Sequence, residues 1–184
     1  MKPALFLLLA GLAGAAGAAG AADFTLTSPT VKPHGTLGTP QVFNGFGCTG
    51  GNVSPALAWQ NPPAGTRSFA LTTYDPDAPT GSGWWHWVVY NIPATVSALP
   101  EDAGRVDGSR LPAGAQQGRT DYGVAGFGGA CPPVGDKPHR YQFTLHALKT
   151  DRLEVPANAS AALIGFMISG QRLGSVTLQA TYGR

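Results

Sequence analysis

Short apolar or alternating runs, separated by clusters of proline and glycine, recur along most of this chain. Five of them are rich in aromatic and β-branched residues, at 24–27, 56–60, 68–74, 86–92 and 141–148, and a sixth run at 175–182 alternates between polar and apolar positions. Runs of this length, bounded by turn residues, are typical of β-strands. The pattern predicts a mainly β protein with an antiparallel sandwich-like or barrel architecture.

One segment, residues 157–173, departs from this strand pattern because its apolar side chains recur near the helical spacing. These side chains are Leu163, Ile164, Phe166, Met167 and Leu173. Asn158 or Ser160 could accept hydrogen bonds from the free amides of a first turn. The segment therefore predicts one amphipathic helix just before the last strand, although Gly165 and Gly170 lower its helix propensity.

The first 22 residues have the pattern of a secretory signal peptide. Lys2 precedes an apolar run at 5–9, and small residues continue to an alanine-rich stretch at 19–22. A membrane anchor is the alternative, but glycine and alanine dilute the hydrophobicity. We therefore expect cleavage near Ala22, a periplasmic or secreted product, and one domain over 23–184. No later stretch is long and apolar enough to predict a transmembrane segment.

Composition excludes one class of partner and suggests a covalent link. The 12 Lys and Arg residues are scattered and nearly balanced by 10 Asp and Glu, whereas nucleic-acid binders normally show clustered basic residues. Cys48 and Cys131 are the two cysteines of the chain, and both lie in glycine-rich surroundings. In an exported protein they predict a disulfide, with two separate buried thiols as the alternative.

Polar groups interrupt an otherwise apolar and β-branched segment at 75–91. It begins with Asp-Pro-Asp-Ala-Pro at 75–79 and continues with Trp-Trp-His-Trp at 84–87. The carboxylates of Asp75 and Asp77 and the imidazole of His86 must be paired or functional if they are buried there. The plainest alternative is that the two aspartates only cap the turn around Pro76.

Strand periodicity predicts which side chains meet. If the strand at 141–148 begins near His139, then His139, Tyr141 and Phe143 share one face. The same alternation places His86 on one face with Val88 and Tyr90. Each histidine would then lie at the beginning of a strand, where a pocket floor can meet a loop. In the loops, Ala78-Pro79 is a candidate cis bond, and the glycines of 122–131 could let backbone amides approach a ligand.

Three of these segments together resemble the signature segments of the phosphatidylethanolamine-binding protein family. They are 75–79 with 84–91, Cys-Pro-Pro at 131–133, and His-Arg-Tyr at 139–141. Asn-Val-Ser-Pro at 52–55 and Thr-Tyr-Gly at 181–183 are also similar to family segments. The bacterial branch, often labelled Raf kinase inhibitor-like, resembles the chain most, and the resemblance spans nearly all of 23–184.

The resemblance implies an antiparallel β-rich domain with a small anion pocket at one end and no cofactor. Matched motif by motif, the pocket acid falls on Asp75, the supporting acid on Asp77, and the two pocket histidines on His86 and His139. Two further ligand-binding residues, Tyr141 and Pro132, complete the wall. Family members bind phosphate, acetate or phosphoethanolamine-like head groups. The implied function is thus that of an exported small-anion or phospholipid head-group binding protein.

Carboxylates beside an anion should repel it, so the chemistry requires donors. We expect imidazoles and loop amides to donate to phosphate oxygens while an acid orients a histidine tautomer or shares the proton. An acid could also receive the ammonium of an ethanolamine head group. Affinity for the anion should then weaken above the titration range of histidine.

Other functions remain as alternatives. The same aspartates and histidines could hold a metal, although the resemblance implies a metal-free pocket. Ser54 and Ser82 are available nucleophiles, but neither lies in a hydrolase motif, so phosphoester hydrolysis is the weaker alternative and no catalytic residue is assigned. An extracytoplasmic protease inhibitor or another protein-interaction module is the stronger alternative.

Overall fold

A computed structural model describes residues 22–184 of the protein, so the predicted signal peptide lies outside the described residues except for Ala22. These described residues form ten strands, one α-helix and a 3₁₀ turn at Thr39–Gln41. The elements are β1 Thr25–Thr27, β2 Asn44–Gly45, β3 Cys48–Thr49, β4 Leu57–Gln60, β5 Ser68–Asp75, β6 Trp84–Pro93, β7 Ala98–Leu99, β8 Gln116–Gln117, β9 His139–Leu148, α1 Ala161–Gln171 and β10 Arg172–Tyr182.

The strands form two main antiparallel sheets that pack face to face. The larger sheet has five strands in the order β10-β9-β5-β6-β8, and the smaller has three in the order β1-β4-β7. Strands β2 and β3 form a separate two-stranded ribbon. The mainly β, antiparallel sandwich-like fold with one or two short helices is therefore confirmed. Each of the six predicted strands is present, with bounds that differ by at most three residues from the pattern.

Two apolar clusters lie on opposite faces of the five-stranded sheet. The larger fills the space between the sheets, where Phe69, Trp87 and Phe143 meet Leu57 and Trp59 of the smaller sheet. The other cluster lies under α1 and contains Val88, Tyr90, Leu148, Ile164 and Ile168. Because the large sheet is covered on both sides, the central strands β5 and β6 are apolar on both faces.

Helix α1 begins and ends inside the predicted segment. Ser160 is the N-cap, and its hydroxyl accepts a hydrogen bond from the Leu163 amide over 3.2 Å. Ile164 and Ile168 face the sheet, whereas Leu163 and Phe166 are exposed. The helix is therefore apolar on its outer face as well, and the expected amphipathic division of its surface is wrong. No helix between residues 22 and 184 has both the length and the apolar character required to cross a membrane.

A β-bulge in β6 changes the direction of His86. Thr73 pairs with Trp87, but the next residue of β5, Tyr74, pairs with Trp85, so His86 is an extra residue between the two pairs. A bulge of this kind reverses the alternation of faces along the bulged strand. His86 consequently lies on the same side as Trp87, facing the sandwich interior. The prediction that it shares a face with Val88 and Tyr90 is wrong for this reason.

Candidate functional site

A cavity of about 210 Å³ opens at the end of the sandwich where β5 ends and β6 and β9 begin. Strand ends and loops from distant parts of the sequence converge there. Its walls include Asp75 from β5, Trp84 and His86 from β6, His139 and Tyr141 from β9, and the 131–133 loop. Five of the six predicted ligand-binding residues, Asp75, His86, Pro132, His139 and Tyr141, line this cavity.

Asp75 and His139 form a buried pair in the cavity wall. His139 Nδ1 donates to Asp75 Oδ2 over 2.7 Å, and both residues are only 3% exposed. The other carboxylate oxygen, Asp75 Oδ1, accepts from the Asp77 amide over 2.8 Å. Asp75 therefore caps the Pro76 turn, as the plainest alternative proposed, and also holds His139. The second ring nitrogen, His139 Nε2, lies 3.3 Å from Asp136 Oδ2.

His86 is held in one tautomer by the backbone. Its Nδ1 donates to the carbonyl oxygen of Gly128 over 2.7 Å, because a carbonyl can only accept. The other nitrogen, Nε2, is buried and has no hydrogen-bond partner among residues 22–184. Burial lowers the pKa of the His86 imidazole. In the neutral ring, this tautomer leaves a lone pair on Nε2.

Tyr141 adds a second unpaired polar atom to the cavity-lining residues. Its hydroxyl is buried without a hydrogen-bond partner in the described part of the chain, whereas the Trp84 indole N–H has the Tyr122 hydroxyl beside it. The Tyr141 ring packs edge-on against His86, with ring centroids 5.1 Å apart. Burial, reinforced by the Asp75 carboxylate, raises the pKa of Tyr141, so the phenol stays protonated and can donate.

Asp77 lies outside the cavity. Its carboxylate is bound by Arg140, whose amide and Nε donate to Oδ2 over 2.8 and 2.9 Å and whose terminal nitrogen donates to Oδ1 over 2.7 Å. The hydrogen bonds from the Arg140 side chain lower the pKa of Asp77 to about 2. The pair ties the turn after β5 to the beginning of β9. Asp77 thus supports the two strand ends that carry Asp75 and His139 instead of facing a ligand.

The glycine-rich segment 122–131 contributes differently from the prediction. The amides of Gly128 and Gly129 donate to His86 O over 2.8 Å and to Asn52 Oδ1 over 2.7 Å. The amides of Phe127 and Ala130 are also bonded within the protein. These four amides are therefore not free for a ligand, because they hold the segment against its neighbours. What the segment supplies is the Gly128 carbonyl that orients His86.

Two aromatic residues that the sequence reasoning missed form the cavity mouth. Tyr122 donates its hydroxyl hydrogen to Gly129 O over 2.8 Å and packs against both His86 and Trp84. Phe46 stacks on Tyr122 with centroids 5.8 Å apart, although its side chain is 70% exposed. The signal was weak, since Tyr122 is the first residue of a glycine-rich segment and Phe46 lies two residues before Cys48.

A disulfide and an arginine join the two loops beside the cavity. Cys48 and Cys131 are bonded, with Cα atoms 6.0 Å apart, so the predicted bridge is present. Arg184 donates to Pro132 O over 2.7 Å and to Gly47 O over 3.0 Å. Both links connect the β2–β3 ribbon to the 131–133 loop. The position of Pro132 is therefore fixed by two independent connections.

Other predicted features have structural roles or lie elsewhere. Ala78 and Pro79 line the cavity, but the backbone from 22 to 184 contains no cis peptide, so the candidate cis bond is absent. The Ser54 hydroxyl oxygen accepts from the Gly104 amide over 2.8 Å, and neither Ser54 nor Ser82 lines the cavity. Within residues 22–184, no group of three or more His, Cys, Asp or Glu side chains is arranged to hold a metal ion.

Comparison with known proteins identifies one family over nearly the whole described chain. The family profile for phosphatidylethanolamine-binding protein matches residues 27–183. UPF0098 protein YbcL of Escherichia coli is 58% identical over 161 residues, which is 88% of each chain. Its crystal structure, titled as a new member of the mammalian PEBP family, superposes with a TM-score of 0.87 over 89% of this chain and 99% of that one.

Two more distant proteins extend the comparison. The crystal structure of CT736 from Chlamydia trachomatis, titled as a homologue of the same family, is 28% identical with a TM-score of 0.72, covering 88% of this chain and 97% of that one. The Mycobacterium tuberculosis protein named "Putative lipoprotein LppC" is 33% identical over 166 residues, or 87% of this chain and 77% of LppC.

Proposed function

The chain belongs to the phosphatidylethanolamine-binding protein family, and from this premise we propose that it binds a small anion of the phosphoethanolamine or phosphate type in the cavity at the end of its sandwich. Family membership supports ligand binding in general. The observation that favours this site is the set of unpaired polar atoms on buried cavity-lining residues, namely His86 Nε2 and the Tyr141 hydroxyl. Buried polar groups are nearly always satisfied, so a ligand is the natural partner for them.

The size of the cavity favours a head group over a complete lipid. At about 210 Å³ it is smaller than the roughly 300–1,000 Å³ of pockets for drug-sized ligands. Trp84, Tyr122 and the prolines of the 131–133 loop would surround the apolar part of a small ligand. The Asp75 carboxylate is the group that could receive an ammonium, since each of its oxygens keeps a free lone pair beside one hydrogen bond.

The proposal places the protein outside the cytoplasm. The chain carries a disulfide, which persists in oxidising compartments. Its N-terminal pattern predicts a signal peptide, and the similar protein LppC carries the name of a lipoprotein. These observations support a periplasmic or secreted location and a single binding domain over 23–184. We propose a binding protein and assign no catalytic residue, because the serine candidates lie away from the cavity.

Removal of one oxygen atom tests the assignment of the cavity. Tyr141→Phe should lower the affinity for O-phosphoethanolamine about tenfold, because the variant loses one donor to the buried phosphate. The free energy of unfolding should stay within about 0.5 kcal/mol of wild type, since the hydroxyl has no protein partner to lose. Isothermal titration calorimetry and urea unfolding measure the two quantities.

Tyr90→Phe is the matched control for this experiment. It removes the same hydroxyl oxygen from a tyrosine of β6 on the opposite face of the five-stranded sheet, in the cluster under α1. Affinity should be unchanged in this variant. Equal affinity of the Tyr141→Phe protein and wild type would refute the assignment of the cavity as the binding site. Recovery of the ligand as ethanolamine and free phosphate would show an enzyme instead.

A further inference from the structure

The charged groups of the cavity are unusual for an anion site. No lysine or arginine is among its lining residues, and the acidic residue there is Asp75. Arg140 directly follows His139 in the sequence, but its side chain is already bound to Asp77. A fully ionised phosphate would therefore meet a carboxylate without a lysine or arginine to balance it. The site needs either a positive charge or a proton from the ligand itself.

His86 provides an acceptor to which a proton on the ligand could form a hydrogen bond. The Gly128 carbonyl occupies Nδ1, so the neutral ring offers only an acceptor at Nε2. Four titratable groups surround this ring: Asp75 from β5, Tyr141 from β9, Tyr122 at the start of the glycine-rich segment, and Asp121 just before it. The two carboxylates favour a charged imidazole and burial opposes it, and burial has the larger effect, so the pKa of His86 is lowered.

A donor is present on the same cavity walls. The Tyr141 hydroxyl is buried and unpaired, and burial keeps it protonated, so it can donate. The cavity thus combines this donor with one neutral acceptor. A tetrahedral anion that keeps one acidic hydrogen matches this pair, because its P–OH can donate to His86 while another of its oxygens accepts from Tyr141.

We propose that the cavity selects anions that still carry a proton, namely hydrogen phosphate and the monoanion of a phosphomonoester, over sulfate and over phosphodiesters. This inference rests on the proposed function and narrows its ligand class. The phosphodiester of an intact phospholipid has no acidic hydrogen near neutral pH, so it leaves His86 Nε2 unpaired. A phosphomonoester such as O-phosphoethanolamine has a second pKa of about 6 and supplies the hydrogen in its monoanionic form.

Hydrogen phosphate and sulfate provide the sharpest test because they have the same charge and shape but only hydrogen phosphate carries a hydrogen. At about pH 8 both are tetrahedral dianions of nearly equal size, and only hydrogen phosphate can donate. Leaving a buried acceptor unpaired weakens binding by about tenfold to a hundredfold. Calorimetric titration of wild-type protein should therefore show phosphate binding at least about tenfold more tightly than sulfate. Equal affinities would overturn the selection, whereas no binding of either anion would overturn the anion pocket itself.

A second ligand pair separates the head group from the intact lipid. At about pH 6, O-phosphoethanolamine, a monoester, should bind at least about tenfold more tightly than glycerophosphoethanolamine, a diester with the same ammonium group. His86→Asn keeps a donor for the Gly128 carbonyl and removes Nε2, so this variant should bind phosphate and sulfate alike. Equal binding of the two ethanolamine ligands to wild type would also overturn the selection, even if the variant fails to fold.

Discussion

Replacing both cysteines, as Cys48→Ala with Cys131→Ala, should lower the free energy of unfolding by about 4 kcal/mol. The bridge joins residues 83 positions apart, and closing a loop of that length removes much of the entropy of the unfolded chain. Alanine suits this test because Cys48 is buried, where an unpaired serine hydroxyl would add a second penalty. Urea unfolding at fixed pH measures the loss.

The affinity for O-phosphoethanolamine should be affected less than the free energy of unfolding in this double variant. Arg184 still joins the Pro132 carbonyl to the loop before Cys48, so the cavity wall keeps one of its two connections. Wild-type protein reduced with dithiothreitol is the control and should lose the same free energy of unfolding. A loss below about 1 kcal/mol would mean that the bridge does not constrain the unfolded chain as we argue.

Gly129→Ala should cost about 3 kcal/mol of stability and also abolish most of the binding. A Cβ at this position would lie 2.5 Å from both Gln41 O and Phe43 N, and backbone atoms cannot move aside as a flexible side chain can. Displacing the segment would break the Gly129 hydrogen bonds to Asn52 and Tyr122. The adjacent Gly128 carbonyl would then no longer orient His86.

Gly170→Ala is the control for this substitution. Gly170 lies in α1, where a Cβ would meet nothing within 4 Å, so alanine should raise stability by up to about 1 kcal/mol through its helix propensity. Binding should be unaffected in that protein. If Gly129→Ala were as stable as wild type, the close packing of 129–130 against 41–43 would be refuted.

The strands could be predicted because each carries its signal locally. The segments around Phe69 and Phe143 are short, apolar and bounded by turn residues, and the sheet forms from them as expected. His139 and Tyr141 also share a face as the period of two requires, because β9 runs without a bulge between them. The helix was located for the same reason, but its apolar outer face with Phe166 contradicts the expected amphipathic pattern.

The direction of His86 could not be predicted from periodicity. A bulge inserts one residue against the partner strand, and nothing in the sequence around Trp85 and Trp87 marks it. The resemblance to the family assigned His86 to a pocket independently of the strand pattern. The bulge explains how that residue reaches the sandwich interior although simple alternation would turn it toward α1.

The other differences between the expected and the observed site arise from contacts between segments that are distant in the sequence. Arg140 follows Asp77 by 63 residues, and only the packing of β9 beside β5 brings the two together. The same holds for Gly128, whose carbonyl reaches His86 across 42 positions. A glycine-rich segment indicates close approach of backbone to a neighbour, but it does not indicate whether that neighbour is a ligand or another part of the chain.

The four histidines of the chain provide the most direct test of the anion pocket. His86 and His139 line the cavity, whereas His34 is exposed elsewhere and His146 is buried on the α1 side of the sheet, beside Thr72. Titration of inorganic phosphate into ¹⁵N-histidine-labelled protein should shift the ring signals of His86 and His139 with one shared dissociation constant and leave those of His34 and His146 unmoved. Unchanged signals from His86 and His139 at saturating phosphate would contradict the assignment of this cavity as an anion site.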